Sequence, residues 1–170
     1  MKKKGNLIWI EGFSGSGKTQ IAKKIQSKLS GLYGPTILIN GDDTRKIFKL
    51  NDYSKNGRLE VFKKNLNLTK LIINQNVNVI FTVVGLNKTY SQLLKKNFKK
   101  LVTILIKTNV NQLKRLKLKK TYKNKKNVVG LDIVPDFPKY DIILHNNFKK
   151  SLNVLAILLA NKIKSKLTHK

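Results

Sequence analysis

The sequence predicts a three-layer α/β/α fold in which helices cover both faces of a five-stranded parallel sheet. Two observations carry this prediction: short apolar runs rich in β-branched residues recur along the chain, and segments with helical spacing lie between them. Continuous apolar runs are typical of strands buried on both faces, and strands that alternate with helices form right-handed crossovers. Because 170 residues is the length of one ordinary domain, we expect residues 1–170 to form a single domain.

The strands follow directly from the apolar runs. Each run is short and is bounded by polar or glycine-containing residues, which are typical of turns. The predicted strands are residues 7–10, 36–39, 77–84, 101–106 and 142–144.

Apolar residues at helical spacing predict the helices between these strands. Ile21, Ile25 and Leu29 mark the first helix, which we expect to stop at Gly31. The spacing predicts further helices over residues 59–72, 113–118 and 152–167. The last of these also offers an apolar seam, which leaves a homodimer open.

Three stretches fit neither pattern: residues 41–57, 85–90 and 122–138. The first two follow strands two and three, at the carboxyl edge of the sheet where ligands bind in open α/β folds. The third follows a helix and has the position of a lid, which we expect over about residues 119–138.

The composition is strongly basic, with 36 Lys and Arg residues against 8 Asp and Glu residues and a formal net charge of +28. Such a charge favours anionic partners. Lysine, asparagine and isoleucine are abundant together, however, as in AT-rich genomes, and no basic cluster is interleaved with aromatics, so we expect no nucleic-acid partner. No apolar stretch is long enough to span a membrane, and no signal peptide is evident, which indicates a cytoplasmic protein.

The chain has no cysteine, which excludes disulfides, thiolate metal sites and cysteine nucleophiles. Residues 12–19 instead read GFSGSGKT and satisfy the P-loop pattern G-x-x-x-x-G-K-[ST], between a predicted strand and a predicted helix. In that context backbone N–H groups surround phosphate oxygens, the lysine reaches the β and γ phosphates, and the hydroxyl holds Mg²⁺. The sequence therefore predicts binding of ATP and Mg²⁺. The expected ATP contacts are Gly12, Ser14, Gly15, Ser16, Gly17, Lys18 and Thr19, with Thr19 on the metal and Lys18 in catalysis.

An acidic and arginine-containing segment follows the second strand. Asp42 is placed to accept a proton from an acceptor hydroxyl, and Arg45 to bind an anionic acceptor. The alternative is that an aspartate caps a helix over residues 44–50, and Asp43 suits that role better. Glu11, at the end of the first strand, is interpreted as a charge partner of Lys18 or of another lysine.

The order and spacing of several motifs resemble the adenylylsulfate (APS) kinase family along nearly the whole chain. The P-loop resembles the family's G-x-S-G-S-G-K-[ST], residues 41–45 resemble D-G-D-x-x-R, and residues 53–60 resemble F-S-x-x-x-R-x-E. Residues 119–122 resemble K-G-L-Y, and residues 130–132, followed by Pro138, resemble the family's G-x-D segment.

The resemblance implies a small-molecule nucleotide acceptor that is phosphorylated by ATP on its ribose 3′-hydroxyl. Asp42 would be the base near that hydroxyl. Arg45 and Arg58 would bind the anionic groups of the acceptor, and Tyr53 would stack on its base. Lys119 and Asp132, from the later motifs, would also contact the acceptor. The alternative for Arg58 is a surface position at the start of a helix.

Departures from the family pattern fall on the acceptor side. Asn40 replaces the first aspartate of D-G-D, Val61 replaces an asparagine, and residues 83–86 replace the S-P-Y segment with its serine. These departures resemble a branch of the family that phosphorylates cytidine diphosphoramidate in bacterial capsule synthesis, with adenylylsulfate as the alternative acceptor. Two other classes stay open: a nucleic-acid-binding ATPase or polynucleotide kinase, and a nucleotide-binding protein without turnover.

Overall fold

The computed structural model describes residues 4–116 and 126–168, and within them five parallel strands form one sheet flanked by helices. The strands are β1 (Leu7–Glu11), β2 (Thr36–Asn40), β3 (Asn78–Val83), β4 (Leu101–Lys107) and β5 (Ile142–His145). The helices are α1 (Lys18–Tyr33), α2 (Gly41–Ile47), α3 (Lys55–Ile73), α4 (Lys88–Asn97), α5 (Val110–Arg115) and α6 (Leu152–Thr168). The predicted α/β fold with a five-stranded parallel sheet is confirmed.

The sheet has the order β2-β3-β1-β4-β5, so that β1 is its central strand. Leu7 of β1 pairs with Val79 of β3 on one side and with Leu101 of β4 on the other. The chain moves outward from β1 to β2 and then returns through β3 to the far side of β1. Parallel sheets bind ligands where such a reversal occurs, at the carboxyl ends of the strands.

Alternation along β1 divides the core between the two faces of the sheet. Ile8 and Ile10 pack with buried residues of α1 and α6, whereas Leu7 and Trp9 pack with those of α3 and α4. Each fully buried aliphatic side chain contributes roughly 1.5–3 kcal/mol relative to an exposed one. Burial on both faces therefore fixes the central strand and, with it, the loop that follows.

The first helix runs past the predicted stop at Gly31 and ends at Tyr33. A glycine inside a helix costs only about 1 kcal/mol relative to alanine, and Ile25 and Leu29 anchor this turn in the core. The helix ends at Gly34, which has a φ of 90° and whose N–H donates to the carbonyl of Ser30. The prediction identified the helix but chose the wrong glycine.

Two of the three stretches predicted to be irregular contain helices. Helix α2 begins within residues 41–57, and α4 begins at Lys88 with Asn87 as its N-cap. The alternative of an aspartate cap for α2 is wrong, because the cap is Asn40, whose side chain accepts from the backbone N–H of Asp42. Helix α5 ends at Arg115, and residues 117–118 of its predicted continuation lie outside the described residues. None of the helices in the described part of the chain is long and apolar enough to cross a membrane.

Candidate active site

The predicted P-loop connects the carboxyl end of β1 to the N-terminus of α1. Gly12, Gly15 and Gly17 all have positive φ, which turns the backbone between the strand and the helix. At Gly12 a Cβ would lie 2.7 Å from the carbonyl oxygen of Ile106 and 2.9 Å from Ser16 Oγ. Only glycine therefore allows this loop to pack against β4, and the loop keeps its amide groups beside the positive end of α1.

The loop has groups that suit a phosphate chain. Lys18 Nζ donates to the carbonyl oxygen of Phe13 at 2.8 Å, which folds the ammonium group back over the loop. Ser16 Oγ is buried and has no hydrogen-bond partner among the described residues. An unpaired hydroxyl in a glycine cradle costs free energy unless a ligand pairs with it, so this loop fits a phosphate group.

Neutral oxygens lie beside the loop where a metal ion would be needed. Thr19 Oγ1 is 3.4 Å from Thr82 Oγ1, which in turn is 3.4 Å from Asn40 Oδ1. Hydroxyl and amide oxygens are ligands that Mg²⁺ accepts together with phosphate oxygens and water. Within residues 4–116 and 126–168, no three His, Cys, Asp or Glu side chains cluster, so Mg²⁺ at this place fits only as the partner of a bound phosphate chain.

A cleft of about 1030 Å³ opens from the P-loop towards α2 and α3. Its volume reaches the upper end of the range for small-molecule sites. The predicted site residues that line it are Ser14, Gly15, Gly17, Lys18, Thr19, Asp42, Arg45, Tyr53 and Arg58. Gly12 and Ser16 shape the loop from within, and Lys119 lies outside the described residues.

Asp42 lines the cleft from the first turn of α2, which begins directly after β2. Its backbone N–H donates to Asn40 Oδ1 at 3.3 Å, so the N-cap fixes its position. Asp43 is exposed in the same turn and does not line the cleft. The two aspartates therefore differ in their position relative to the cleft, and only Asp42 shares the cleft with the P-loop.

Arg45 holds the segment between α2 and α3. One of its terminal nitrogens donates to the carbonyl oxygens of Leu50 at 3.1 Å and Asp52 at 2.9 Å. Its guanidinium carbon also lies 4.2 Å from the centroid of the Tyr53 ring. A nucleobase that stacks on Tyr53 would therefore share the ring with Arg45.

Arg58 joins the start of α3 to the segment that begins at residue 126. It donates through Nε to the carbonyl oxygen of Tyr53 at 3.0 Å and through a terminal nitrogen to that of Asn127 at 2.6 Å. Burial and, secondarily, the charge of Arg45 lower the pKa of Arg58. Arg58 is thus half-buried, not the surface residue of the alternative, and two neighbouring guanidinium groups favour an anion between them.

An aromatic wall closes the cleft beneath these arginines, and sequence reasoning missed it. Phe62 and Tyr90 stack with centroids 4.4 Å apart and planes at 8°, and Trp9 meets Phe62 edge-on at 6.1 Å. Asn65 lines the cleft beside them. Phe62 also packs in the core, so it serves both the core and the cleft.

A second group of lining residues lies on the other flank of the P-loop, between β5 and α6. Asn146 Nδ2 donates to the carbonyl oxygen of Ser16 at 3.0 Å, and its Oδ1 accepts from the N–H of Phe148 at the same distance. Phe148 and Leu152 add apolar surface. Sequence reasoning missed this group as well, although it directly follows the fifth predicted strand, at the edge where ligands bind.

Glu11 is fully buried and bonded to three groups. It accepts from the indole N–H of Trp9 at 2.9 Å, from the N–H of Leu86 at 3.1 Å and from the hydroxyl of Tyr140. Burial raises the pKa of Glu11, which these bonds and, least of all, the charge of Lys18 oppose. The charge of Lys18 thus acts on Glu11, as the sequence predicts, but the three hydrogen bonds stabilise the carboxylate more. A Cβ on Gly85 would lie 2.1 Å from Glu11 Oε1, so the carboxylate fills the space of a side chain there.

The remaining predicted residue, Asp132, lies away from the cleft. Asp132 is exposed and accepts from the N–H of Val128 at 3.2 Å, which closes a turn in the lid-like segment. It does not line the cleft, so its contact with an acceptor stays a prediction that this position does not favour. Phe137 meets Phe13 edge-on at 6.1 Å, at the rim of the P-loop.

A P-loop on the central strand of a five-stranded parallel sheet, opposite an aspartate and two arginines, defines a P-loop phosphotransferase. The chain belongs to the adenylylsulphate kinase family, whose sequence model matches residues 4–139. It is 30% identical over 168 residues to the cytidine diphosphoramidate kinase of Campylobacter jejuni, which covers 96% of this chain and 99% of that protein. An adenylyl-sulfate kinase of Clostridium kluyveri is 32% identical over 82 residues, 48% of this chain and 41% of that protein.

Solved structures agree on the fold. The APS kinase of Mycobacterium tuberculosis, solved with AMPPNP and APS, superposes with a TM-score of 0.84 at 19% identity, over 95% of this chain and 98% of that one. APE1195 gives a TM-score of 0.83 at 19% identity, over 96% of this chain and 97% of that one. The family model and the relative from Campylobacter jejuni together identify the protein as an ATP-dependent kinase of this family.

Proposed function

We propose that this kinase transfers the γ-phosphoryl group of Mg·ATP to the ribose 3′-hydroxyl of a nucleotide, and that the nucleotide is cytidine diphosphoramidate. The observation that carries the proposal is one cleft with the P-loop on one side and Asp42, Arg45 and Arg58 on the other. The relative from Campylobacter jejuni, which aligns over nearly the whole of both chains, supports the choice of acceptor. The arginines suit the charged 5′ groups of such a nucleotide.

In the proposed reaction, the 3′-oxygen of the acceptor attacks the γ-phosphorus of ATP. A bond forms between these two atoms, the bond from the γ-phosphorus to the β–γ bridging oxygen breaks, and ADP leaves. Asp42 receives the proton of the hydroxyl. Lys18 and the amides of the P-loop stabilise the charge on the phosphate oxygens, and Thr19 contributes a hydroxyl to Mg²⁺. Positioning and electrostatics supply most of the rate acceleration in reactions of this kind.

We place the adenine of ATP against Phe148 and Leu152, on the flank of the P-loop opposite Asp42. This leaves the volume between α2, α3 and β3 for the acceptor. Asn146 supports the arrangement, because it bonds both the P-loop carbonyl of Ser16 and the backbone of Phe148. A shift of the P-loop would therefore be transmitted through Asn146 to Phe148.

Adenylylsulfate is the second candidate acceptor, since the family model and the clostridial relative are named for that activity. Both candidates have a ribose 3′-hydroxyl and anionic 5′ groups, so the residues of the cleft mouth suit either one. The two acceptors differ in the nucleobase, which is cytosine in one and adenine in the other, and in the group that ends the 5′ chain.

An acceptor panel tests the proposal. The purified protein is incubated with Mg·ATP and, separately, with cytidine diphosphoramidate, adenylylsulfate, plain nucleotides, sugars and a DNA oligonucleotide, and ADP release is measured together with the site of phosphorylation. We expect the highest kcat/KM with cytidine diphosphoramidate and a product phosphorylated at the 3′ position. Phosphorylation of sugars alone, or of the oligonucleotide alone, would refute the proposed function. Preference for adenylylsulfate would refute only the choice of acceptor.

A further inference from the structure

Asn65 of α3 is a buried polar residue with an unsatisfied side chain. It is 1% exposed, and its carbonyl oxygen Oδ1 is buried without a hydrogen-bond partner among the described residues. A buried polar atom that lacks a partner costs about 1–3 kcal/mol, and such atoms are few in native structures. A purely structural asparagine would have its partner within the fold, so this one calls for another explanation.

The space that Asn65 borders is the cleft. The residue lies on the same face of α3 as Phe62, three positions and about one turn further along the helix. Phe62 and Tyr90 form a stacked pair there, and Trp9 stands edge-on to it. An aromatic wall with one amide at its edge is the usual composition of a site for a flat heteroaromatic ring, in which stacking binds the ring and the amide reads its edge.

The charges at the mouth of the same cleft indicate the other end of the ligand. Arg58 lies in the first turn of α3, one turn before Phe62. Its guanidinium group, together with that of Arg45, lowers the potential energy of an anion at that place. A ligand with an anionic group at the arginines and a flat ring at the aromatic wall is a nucleotide.

We infer that Asn65 is the specificity-determining contact for the acceptor nucleobase, through a hydrogen bond that Oδ1 accepts from an exocyclic amino group of the ring. The inference rests on the proposed function only in taking the acceptor to be a nucleotide. Cytosine and adenine both present an amino group beside an unprotonated ring nitrogen, so that the amide can accept from one and donate to the other. Uracil and hypoxanthine present a carbonyl oxygen beside a protonated ring nitrogen, which does not match a hydrogen bond accepted by Oδ1.

The test is nucleotide binding in the presence of saturating Mg·ADP, which keeps the donor side occupied. CMP, UMP, AMP and IMP are titrated, with calorimetry and with the fluorescence of Trp9, the only tryptophan of the chain, as readouts. We expect at least one amino nucleotide to bind about 10-fold or more tighter than its keto counterpart. In Asn65→Leu and in Asn65→Ala this ratio should fall to about 2-fold or less.

Asn67→Leu is the matched control, because Asn67 lies on the same helix and is exposed. It should keep the ratio of the unaltered protein. Asn65→Leu should also melt at the same or a higher temperature, since it removes an unpaired buried amide, whereas a structural asparagine would make the protein less stable when replaced. If either variant at position 65 fails to fold, the other provides the ratio.

The possible outcomes separate this inference from the proposed function. A preference for UMP or IMP, a preference that survives in the folded variants, or no binding of any of the four nucleotides overturns the role of Asn65. Loss of 3′-phosphorylation in the acceptor panel overturns the proposed reaction but leaves an Asn65-dependent preference in binding intact. The CMP and AMP arms also distinguish a cytidine acceptor from an adenosine acceptor.

Discussion

Asp42 and Asp43 are adjacent carboxylates that share a helix turn, a charge and an exposed position, yet only Asp42 lines the cleft. Because their other properties match, a comparison of the two isolates the effect of placement. General bases that receive a proton from an attacking hydroxyl contribute through their distance to that hydroxyl, not through their distance to the ATP phosphates.

We predict that Asp42→Asn lowers kcat by about 100-fold or more, within the range found for the loss of a general base. The amide keeps the shape of the side chain but cannot take the proton. Binding of a non-hydrolysable ATP analogue, measured by calorimetry, should change little, since no P-loop contact is removed.

Asp43→Asn serves as the control and should retain kcat within about 2-fold, because its carboxylate lies outside the cleft. An equal loss of kcat in the two variants would mean that the negative charge of this helix turn supports the reaction. It would argue against a proton transfer to Asp42. An unchanged kcat in Asp42→Asn would remove this residue from the mechanism.

The sequence identifies the P-loop, the charged residues of the site and Tyr53, but not Phe62, Asn65, Tyr90 or Asn146. Asp42 and Arg45 could be predicted because they follow a strand at the edge where ligands bind, and because acidic residues and arginines are scarce in this chain. Asn65 could not be predicted, since its spacing assigned it to the interior of a helix, where an isolated polar residue has no distinctive pattern. The signal that was present is an asparagine on the apolar stripe between Phe62 and Leu66 of α3.

At the scale of elements, α2 connects the sheet to the acceptor side of the cleft. It spans only Gly41–Ile47, buries Gly41 and Thr44, and is held at its start by Asn40. Short helices are marginal in isolation, so the N-cap and the contact with β2 and β3 carry most of its stability. Since Asp42 is in the first turn, loosening the cap would displace the predicted catalytic carboxylate.

We predict that Asn40→Ala destabilises the protein by about 1 kcal/mol, the usual cost of losing an N-cap. Urea denaturation should show the loss as a lower midpoint with an unchanged slope. The kcat should fall as well, because the position of Asp42 depends on the same side chain.

Asn40→Asp is the matched control for this cap. A carboxylate oxygen can accept from the Asp42 N–H as the amide oxygen does, so the urea midpoint should stay close to that of the unaltered protein. An Asn40→Ala variant as stable and as active as the unaltered protein would show that α2 does not depend on its N-cap.

The elements that sequence reasoning missed are those with little buried apolar surface. The five strands were predictable because burial on both faces makes them continuously apolar. Helix α4 fully buries only Ser91 and Leu94, with Tyr90 and Leu93 partly buried, and its ten residues are too few for this helical spacing to stand out in the sequence. Helix α2 begins at Gly41, and a glycine after a strand predicts a turn. The close packing of Gly41 against Val83, which leaves little room for a side chain, is visible only in the structure.

At the scale of the whole molecule, Glu11 joins three parts of the chain that are distant in sequence. Its bonds link the central strand to the start of the segment after β3 and to Tyr140, which precedes β5. Burial and the neighbouring carboxylate raise the pKa of Tyr140, so its hydroxyl stays protonated and donates. Contacts between residues 129 positions apart cannot be predicted from one sequence, because no local pattern specifies them.

We predict that Glu11 makes the protein less stable as the pH rises above 4.5, its ordinary pKa. Because burial raises the pKa of Glu11 in the folded protein, the folded protein binds the proton of Glu11 more tightly than the unfolded chain does. The stabilisation by this proton is complete below the pKa that Glu11 has in the unfolded chain. It is lost as the pH rises through the pKa that Glu11 has in the folded protein. Glu11→Gln does not titrate, so its melting temperature should rise relative to that of the unaltered protein over this window.

The measurement is thermal unfolding of both proteins at a series of pH values from 4.5 upwards, and the difference at each pH is the readout. The absolute difference also contains the altered hydrogen bonds of glutamine, whereas its slope reports the charge. Glu60→Gln is the control, since Glu60 is an exposed carboxylate paired with Lys64 at 3.2 Å. A difference in melting temperature that does not change with pH for Glu11→Gln would show that burial does not raise the pKa of Glu11.

The overlap between Glu11 and any side chain at position 85 couples these two positions. With the carboxylate in place, every residue larger than glycine at position 85 would meet Glu11 Oε1, so the carboxylate would have to shift. The shift would disturb the hydrogen bonds that Glu11 accepts from Trp9, Leu86 and Tyr140. A side chain at position 85 would therefore loosen the connection between the central strand and the segment before β5, and we expect the two positions to change together.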